Sequence, residues 1–438
     1  MLQEVSCLMQ NKRRTILKDY LDNIKNSNEK QNIFNVDFRK AQKNITDDIA
    51  VKFVDARVID ASSCDLLTIV FFQNAFKHLH TLRIDYCQQI IINDEAIKKL
   101  PRTLTCLSMS YCFGFQISDE AFKYLPSGLT KLYLCGLKQG SLTHKVLHNL
   151  PEGLHTLDVR NCGKNILTEH AFTRLPLQLH NLHTILYNSN IQLRQDINQC
   201  LPYNLRVLDI NVYVQKPTIS YNFFNDLLTN LPCLHALKIY GKDLDLTHIC
   251  LPSNLLKLDV ALCEIGKSVN SLIEHLPNKL HVLDISYNKQ MTDNLFRFLP
   301  PNLCVLIMRG CKQRCITNQM FDYLPQGLHT LDISYCRQST ITDSGLCNLP
   351  RNLRKLIMNK CDQSGITNVT FQNLPKNLKI LQMANCNRRT VTCDIFNHLS
   401  TKISLTLGYN ENKRIKFAKM CGFNVEVTDI NRPCVHHM

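Results

Sequence analysis

Tryptophan is missing from this 438-residue chain, and glycine is sparse at 14 residues. So few glycines leave little material for the backbone-lined loops that cradle phosphates or dinucleotides. No Gly-x-x-x-x-Gly-Lys, His-Glu-x-x-His or Gly-x-Ser-x-Gly string occurs, which removes the phosphate loop, the zinc-protease helix and the nucleophile elbow. No stretch approaches the roughly 20 apolar residues that a membrane-spanning helix needs. Negative charge is short as well: 36 acidic residues face 51 lysines and arginines, a formal balance of +15.

What is abundant is order. Leucine-proline pairs begin at Leu100, Leu125, Leu150, Leu175, Leu201, Leu231, Leu251, Leu276, Leu299, Leu324, Leu349 and Leu374, with Leu399-Ser400 as a degenerate last member. Their spacings are 25, 25, 25, 26, 30, 20, 25, 23, 25, 25, 25 and 25 residues. A period in this range implies stacked units that bury a continuous core only against their neighbours. Function is then to be sought along surfaces.

The cleanest copy starts at Leu324-Pro325 and runs through Leu331-Asp332-Ile333-Ser334-Tyr335-Cys336 to Ile341-Thr342-Asp343. Leu331 and Ile333 alternate with Asp332 and Ser334, the period of a strand with one buried face. After the threonine the spacing becomes helical, with Phe321 and Leu324 following Thr317, and Phe371 and Leu374 following Thr367. The hydroxyl can accept an orphan amide and an acid beside it suits the positive helix end. Proline then stops the helix, because the residue before it is driven out of helical angles. Each unit reads as strand, loop, short helix.

The string L-x-x-L-x-(I/L/M/V)-x-x-(C/N) is the leucine-rich repeat signature. With Cys87, Cys112, Cys162, Cys263, Cys311, Cys336, Cys361 and Cys386 at its last position, it resembles the cysteine-containing subtype typical of F-box/LRR proteins, substrate receptors of cullin-based ubiquitin ligases. The resemblance covers residues 79–410, and a weaker unit starts near Ile45-Thr46-Asp47. It implies an α/β solenoid: a leucine-rich repeat horseshoe with a concave parallel sheet and short convex helices. Two departures stand out. Four residues usually separate the cysteine from the Ile-Thr pair where the family has two, and only Asn288 to Met291 keeps the short loop. The Leu-Pro-x-x-Leu string is also similar to FNIP repeats, without their Phe-Asn-x-Pro core.

Of 21 cysteines, eight share the one column, where a small buried thiol packs and donates weakly to a neighbouring carbonyl. Cysteines stacked along one ridge would mispair in an oxidising compartment, and the first 14 residues lack an apolar core ahead of Lys12-Arg13-Arg14. The expectation is an intracellular chain, cytoplasmic or nuclear. The histidines His80, His155, His180, His281 and His329 recur at one repeat position and form no triad. Cys434, His436 and His437 have no partner pair at ligand spacing. No enzyme activity, metal or cofactor is expected.

Two surfaces are candidates for binding. The outward strand column reads Arg83, Ser108, Tyr133, Asp158, His183, Asp209, Lys238, Asp259, Asp284, Ile307, Asp332, Ile357 and Gln382, and a later outward position carries Tyr86, Tyr111, Tyr287 and Tyr335. Aspartate is disfavoured in strands and like charges repel along a ladder, so Asp158, Asp209, Asp259, Asp284 and Asp332 together with the tyrosines point to a concave face suited to a basic protein segment. Copying of Leu-Asp-Ile-Ser-Tyr by duplication is the equal alternative, since residues 283–287 and 331–335 are identical. The second surface is a basic rim in the loops after the cysteine: Lys164, Lys267, Lys289, Lys312, Arg314, Arg337, Arg388 and Arg389. It is either a solvated edge or a contact for nucleic acid or an anionic surface.

The domain expectation is residues 1–44 as a helical cap or degenerate F-box-like segment, with a helix over residues 15–24, residues 45–410 as the solenoid, and residues 411–438 as a C-terminal cap and tail. An F-box would end in tryptophan, which this chain lacks. Within the solenoid the register loosens between Leu175 and Leu251, with an insertion at Gln215-Lys216-Pro217; residues 417–427 read as a closing helix and strand. The functional expectation is a non-enzymatic protein-interaction scaffold, which the family resemblance narrows to the substrate-recognition subunit of an SCF-type ubiquitin ligase with a Skp-type adaptor and cullin as partners. The alternatives are nucleic-acid or anionic-surface binding through the rim, and a host-interaction effector without a ubiquitin role.

Overall fold

The computed structural model describes residues 35–39, 45–73, 76–88, 92–137, 142–163, 166, 172–188, 201–214, 221–241, 244, 246–263, 268–288, 290–386 and 389–429. The chain forms two compact units, Met1–Asn211 and Val212–Met438. In the first, the strands Asn35–Asp37, Val58–Asp60, Thr81–Arg83, Cys106–Ser108, Lys131–Tyr133, Thr156–Asp158 and Asn181–Asn188 pair in parallel, each with the next. In the second, Ala236–Gly241, Lys257–Asp259, Val282–Asp284, Val305–Ile307, Thr330–Asp332, Lys355–Ile357, Ile380–Gln382, Ser404–Gly408 and Val425–Thr428 do the same. Leu331 and Leu356 are register partners. Parallel strands one repeat apart, most of them followed by a short helix among the described residues, make an α/β solenoid of leucine-rich repeats. The strand Asn35–Asp37 lies ahead of the first unit read in the sequence; it follows no leucine-proline pair, so the period does not announce it.

Hydrophobic alternation explains the strands. The central leucines Leu82, Leu107, Leu132 and Leu157 in one unit, and Leu258, Leu283, Leu306, Leu331, Leu356 and Leu381 in the other, are buried, each stabilising the fold by about 1.5–3 kcal/mol. The leucine-proline pair closes each helix as its chemistry demands. Leu299 and Leu324, both at ψ 132°, have left the helical region. The proline carbonyl then accepts the amide three residues on, as from Leu328 to Pro325 and Leu353 to Pro350 at 3.0 Å. That turn is the physical content of Leu-Pro-x-x-Leu, and it delivers the chain to the next strand.

The cysteine column packs as expected. Cys112 donates to the Ile84 carbonyl at 3.1 Å, Cys336 to Met308 at 3.3 Å, Cys361 to Ile333 at 3.2 Å and Cys386 to Met358 at 2.9 Å, each bond crossing to the preceding repeat. In the repeat with the short loop, Asn288 replaces the cysteine and its amide reaches Val260 O at 2.9 Å and Ile285 O at 3.1 Å. The longer loops have their own reason. Gln338, buried, donates to the Cys311 carbonyl and Gln313 to that of Asn288, so the extra residues fold a glutamine inward against the previous turn.

Beyond Ser404–Gly408 the chain forms a helix, Asn412–Met420, and the strand Val425–Thr428. Glu411 and Arg414, buried and paired at 2.7 Å, anchor this closure. Glu411 also accepts the Asn385 amide at 3.0 Å, while Arg414 donates to the Val391 carbonyl. The helix thus starts before residue 417, at the residue following the buried acid. The reading of residues 15–24 as a helix and the insertion at Gln215-Lys216-Pro217 lie outside the described residues. Among the described residues no helix is long and apolar enough to cross a membrane.

Candidate protein-interaction surface

The sheet registers the outward column residue by residue. Arg83, Ser108, Tyr133, Asp158 and His183 are successive partners in the first unit, and Lys238, Asp259, Asp284, Ile307, Asp332, Ile357 and Gln382 in the second. Asp209 sits in the strand Val207–Val214 of the same ladder pattern.

Aspartate recurs there for a local reason. Its carboxylate accepts the backbone amide two residues on: Arg160 N to Asp158 at 3.1 Å, Ala261 N to Asp259 at 3.1 Å, Ser286 N to Asp284 at 2.9 Å and Ser334 N to Asp332 at 2.9 Å. This Asx turn ends the strand and starts the loop. Sequence reasoning weighed binding against duplication and missed it, because both ends of the bond lie within one repeat and no spacing marks it.

Two arginines missed in the sequence also belong to this face. Arg160 bridges Asp158 at 2.7 Å and Asp209 at 3.0 Å, with His183 Nδ1 3.3 Å from the Asp209 carboxylate. Arg309 lies 2.5 Å from Asp332, which is fully buried. Asp158 and Asp209 are buried as well. Their signal was a basic residue two positions past the column, as in Asp158-Val159-Arg160. Asp259 and Asp284 differ: they are half-buried register partners, with Lys238 3.5 Å from Asp259. Burial first, and then the Asp259 charge, raise the Asp284 carboxyl above its ordinary 3.8, against hydrogen bonds from Ser286 and the charge of Arg309.

The tyrosines stand in the turns that follow the strands, all in the left-handed region: Tyr86 at φ 58°, Tyr111 at 57°, Tyr287 at 59° and Tyr335 at 61°. Such angles cost a non-glycine residue about 1–2 kcal/mol, and the stack recovers part of it. Tyr86 and Tyr111 lie face to face, 5.0 Å apart at 5°. Tyr335 carries the Lys360 ammonium 5.3 Å from its ring centre. Tyr86 and Tyr287 are exposed, Tyr111 and Tyr335 half-buried.

Of the rim residues, Lys312, Arg314, Arg337 and Arg389 are exposed, and Arg337 pairs with Asp362 at 3.4 Å. Lys164, Lys267, Lys289 and Arg388 lie outside the described residues, as do Cys434, His436 and His437. Among the described residues no group of three or more His, Cys, Asp or Glu is arranged to hold a metal ion. Thiols of the column are held protonated: burial pushes Cys336 and Cys386 up to about 12.

No protein-family model matches the chain, and no curated protein matches it. Among solved structures it is similar to CroV588, a circular leucine-rich repeat protein, at 17% identity and a TM-score of 0.47, covering 86% of this chain and 57% of that one. It is similar to a chain of the yeast Rad7 and Elc1 complex at 16% identity and a TM-score of 0.49, covering 92% and 94%. A third similarity is to the leucine-rich repeat-containing protein LegL7 from Legionella pneumophila, at 14% identity and a TM-score of 0.38, covering 60% and 87%. The chain spans 57% of the length of CroV588.

Proposed function

We propose that this chain is a non-enzymatic protein-interaction scaffold that takes a basic segment of a partner protein on its sheet face. The observation that carries the reading is the Asp259–Asp284 pair. Two half-buried carboxylates are register partners, one of them with a raised pKa, and a bound lysine or arginine would relieve their repulsion. Tyr287, exposed three residues beyond Asp284, supplies an amphipathic ring of the kind that anchors interfaces. The buried Asp158, Asp209 and Asp332 position the turns and arginines of the face in this reading, while Tyr86, Tyr111 and Tyr335 extend it along the turns. Residues 45–410 are then the binding solenoid and residues 411–438 its cap and tail, while residues 1–44 are a cap or adaptor-contacting segment whose strand Asn35–Asp37 already joins the ladder.

The test is direct binding of a panel of lysine- and arginine-rich peptides to the full chain, followed by anisotropy. The expected result is binding that weakens about tenfold in Asp259→Asn with Asp284→Asn, and again in Tyr287→Ala. Binding to none of the basic peptides, or binding indifferent to these substitutions, contradicts the reading.

The cysteine-containing repeat subtype supports the narrower proposal, a substrate-recognition subunit of an SCF-type ubiquitin ligase. Co-expression with a Skp-type adaptor and cullin tests it separately. Recovery of neither with the full chain removes the ubiquitin role and leaves the scaffold.

A further inference from the structure

The leucine-proline turns of the last repeats gather positive charge at the edge where the chain enters its strands, opposite the loops that follow the cysteines. Residues 351–355, 376–380 and 400–404 contain Arg351, Arg354, Lys355, Lys376, Lys379 and Lys402 and no acidic residue. Four of them, Arg354, Lys376, Lys379 and Lys402, line a cleft of ≈ 540 Å³ together with Asn352 and Asn377. All four are exposed. The arginines of the sheet face behave differently, since Arg160 and Arg309 are each paired with carboxylates; these four have no ion-pair partner among the described residues.

The frame beneath them is hydrogen-bonded from turn to turn. Asn352 donates to the Gln326 carbonyl and Asn377 to that of Arg351, both at 3.1 Å, and Lys379 N donates to Arg354 O at 2.8 Å. Adjacent strands lie ~4.8 Å apart, so Arg354 and Lys379 are held as like-charged neighbours one strand apart. Single basic residues such as Arg206 and Lys279 occur in this turn elsewhere, but a run of successive charged turns is not part of the repeat pattern. The same turn one repeat earlier carries Gln326, Gly327 and His329, and the one before it Asn302 and Cys304. Duplication therefore does not account for the cluster, and nothing within the described chain neutralises it.

We propose that this cleft binds a compact, multiply charged oxyanion of the phosphate-ester class. Three lysines act as point charges able to approach phosphate oxygens from several sides, and the Arg354 guanidinium offers a planar fork for a bidentate contact. The confinement of the charge to three turns matches a short ligand; an extended polyanion would need it continued over Gln326 and Gly327. A carboxylate brings one charge, whereas a polyphosphate brings enough to balance four cations. The site is independent of the sheet-face reading and uses none of its residues.

Calorimetric titration of the full chain with tripolyphosphate, pyrophosphate and orthophosphate tests it. Affinity rises with ligand charge, falls with added salt, and drops about tenfold in each of Arg354→Glu and Lys379→Glu. Lys419→Glu, an equal charge change on the terminal helix, leaves it unaltered. Sedimentation with phosphatidylcholine vesicles, with and without a phosphorylated phosphoinositide, assigns the source: capture by doped vesicles through the same residues marks a lipid headgroup, and its absence a free phosphate compound. Failure of tripolyphosphate to bind, or binding indifferent to both reversals, overturns the proposal. So does a single-stranded oligonucleotide that binds more tightly than tripolyphosphate through these residues.

Discussion

Asp343 accepts two hydrogen bonds from Thr367 of the following repeat, one from the backbone amide at 2.8 Å and one from the hydroxyl at 2.6 Å. The same clamp joins Asp94 to Ser118, Asp119 to Thr143 and Asp293 to Thr317, each with both bonds between 2.5 and 2.8 Å. The acid that looked like a complement to its own helix dipole is also the fastening between helices. Replacing Asp343 with Ala should lower stability by about 1–3 kcal/mol, since charge-assisted bonds are lost while Thr367 N stays near the interior. Asp343→Asn should lose much less, because Asn318 already serves in the neighbouring repeat, accepting from Thr342 N at 2.9 Å and donating to its hydroxyl at 2.8 Å. Urea titration of the two variants separates them.

Acid should weaken the same clamp. Burial acts to raise the Asp343 carboxyl, but the bonds from Thr367 and Thr370 outweigh it and hold the group below its ordinary 3.8. A depressed carboxyl pKa contributes stability above the unfolded value, and that contribution is lost as the pH falls through the folded one. The expected outcome is a loss beginning near pH 4, smaller in Asp343→Asn than in the parent. Equal pH dependence of the two proteins between pH 5 and the acid limit would show that Asp343 is not the group responsible.

The cysteines should divide by reactivity. Cys250, Cys315 and Cys347 are exposed, whereas Cys336 and Cys386 are buried with thiols pushed up to about 12 and bonded to carbonyls. Thiolate is the reactive form. Near pH 8 an alkylating reagent should label the exposed residues in the native protein and reach the column only after denaturant is added, as mass mapping would record. Early labelling of Cys336 would place it outside the core.

Two of the tyrosine rings, Tyr111 and Tyr287, leave room only for glycine in the next repeat. Gly136 adopts φ 73°, and a Cβ there would lie 2.5 Å from Cδ1 of Tyr111; Gly310, at φ 64°, meets the Tyr287 ring in the same way. Gly136→Ala should destabilise the fold by about 1–3 kcal/mol through the left-handed angle and the displaced ring. Combining it with Tyr111→Ala should recover the steric part, so that thermal melts of the double variant show less than the sum of the single losses.

Period and alternation carried most of this architecture. Leu331 with Ile333 announces a strand, Leu324-Pro325 announces a turn, and their recurrence places like beside like, as the Leu331–Leu356 pairing shows. What recurrence hides is chemistry across the seam. Asp343 meets Thr367 only once two repeats are stacked; the bond from Ser334 N to Asp332 is hidden differently, since both ends lie within one repeat and no spacing marks it. Arg309, two residues past the column, turns back onto Asp332 of the next repeat, a pairing that no single copy of the repeat announces. Continued strand alternation would put Tyr335 on the buried side with Leu331 and Ile333, but its left-handed φ of 61° sets it in the turn instead. The cationic cleft went unread because a search along columns does not compare neighbouring turns, and only there do Arg354, Lys376, Lys379 and Lys402 fall together.

Parallel stacking of successive repeats in register underlies every surface argued above, and a pair of engineered thiols tests it most directly. Thr330 and Lys355 are register partners, at a separation of ~4.8 Å that a disulfide can span. Thr330 and Ile357 are offset by two residues and lie beyond the ~7 Å limit for a bridge. Oxidation should join Thr330→Cys to Lys355→Cys and leave Thr330→Cys with Ile357→Cys open, as peptide mapping would read. A bridge in the offset pair, or none in the register pair, would contradict the stacked ladder.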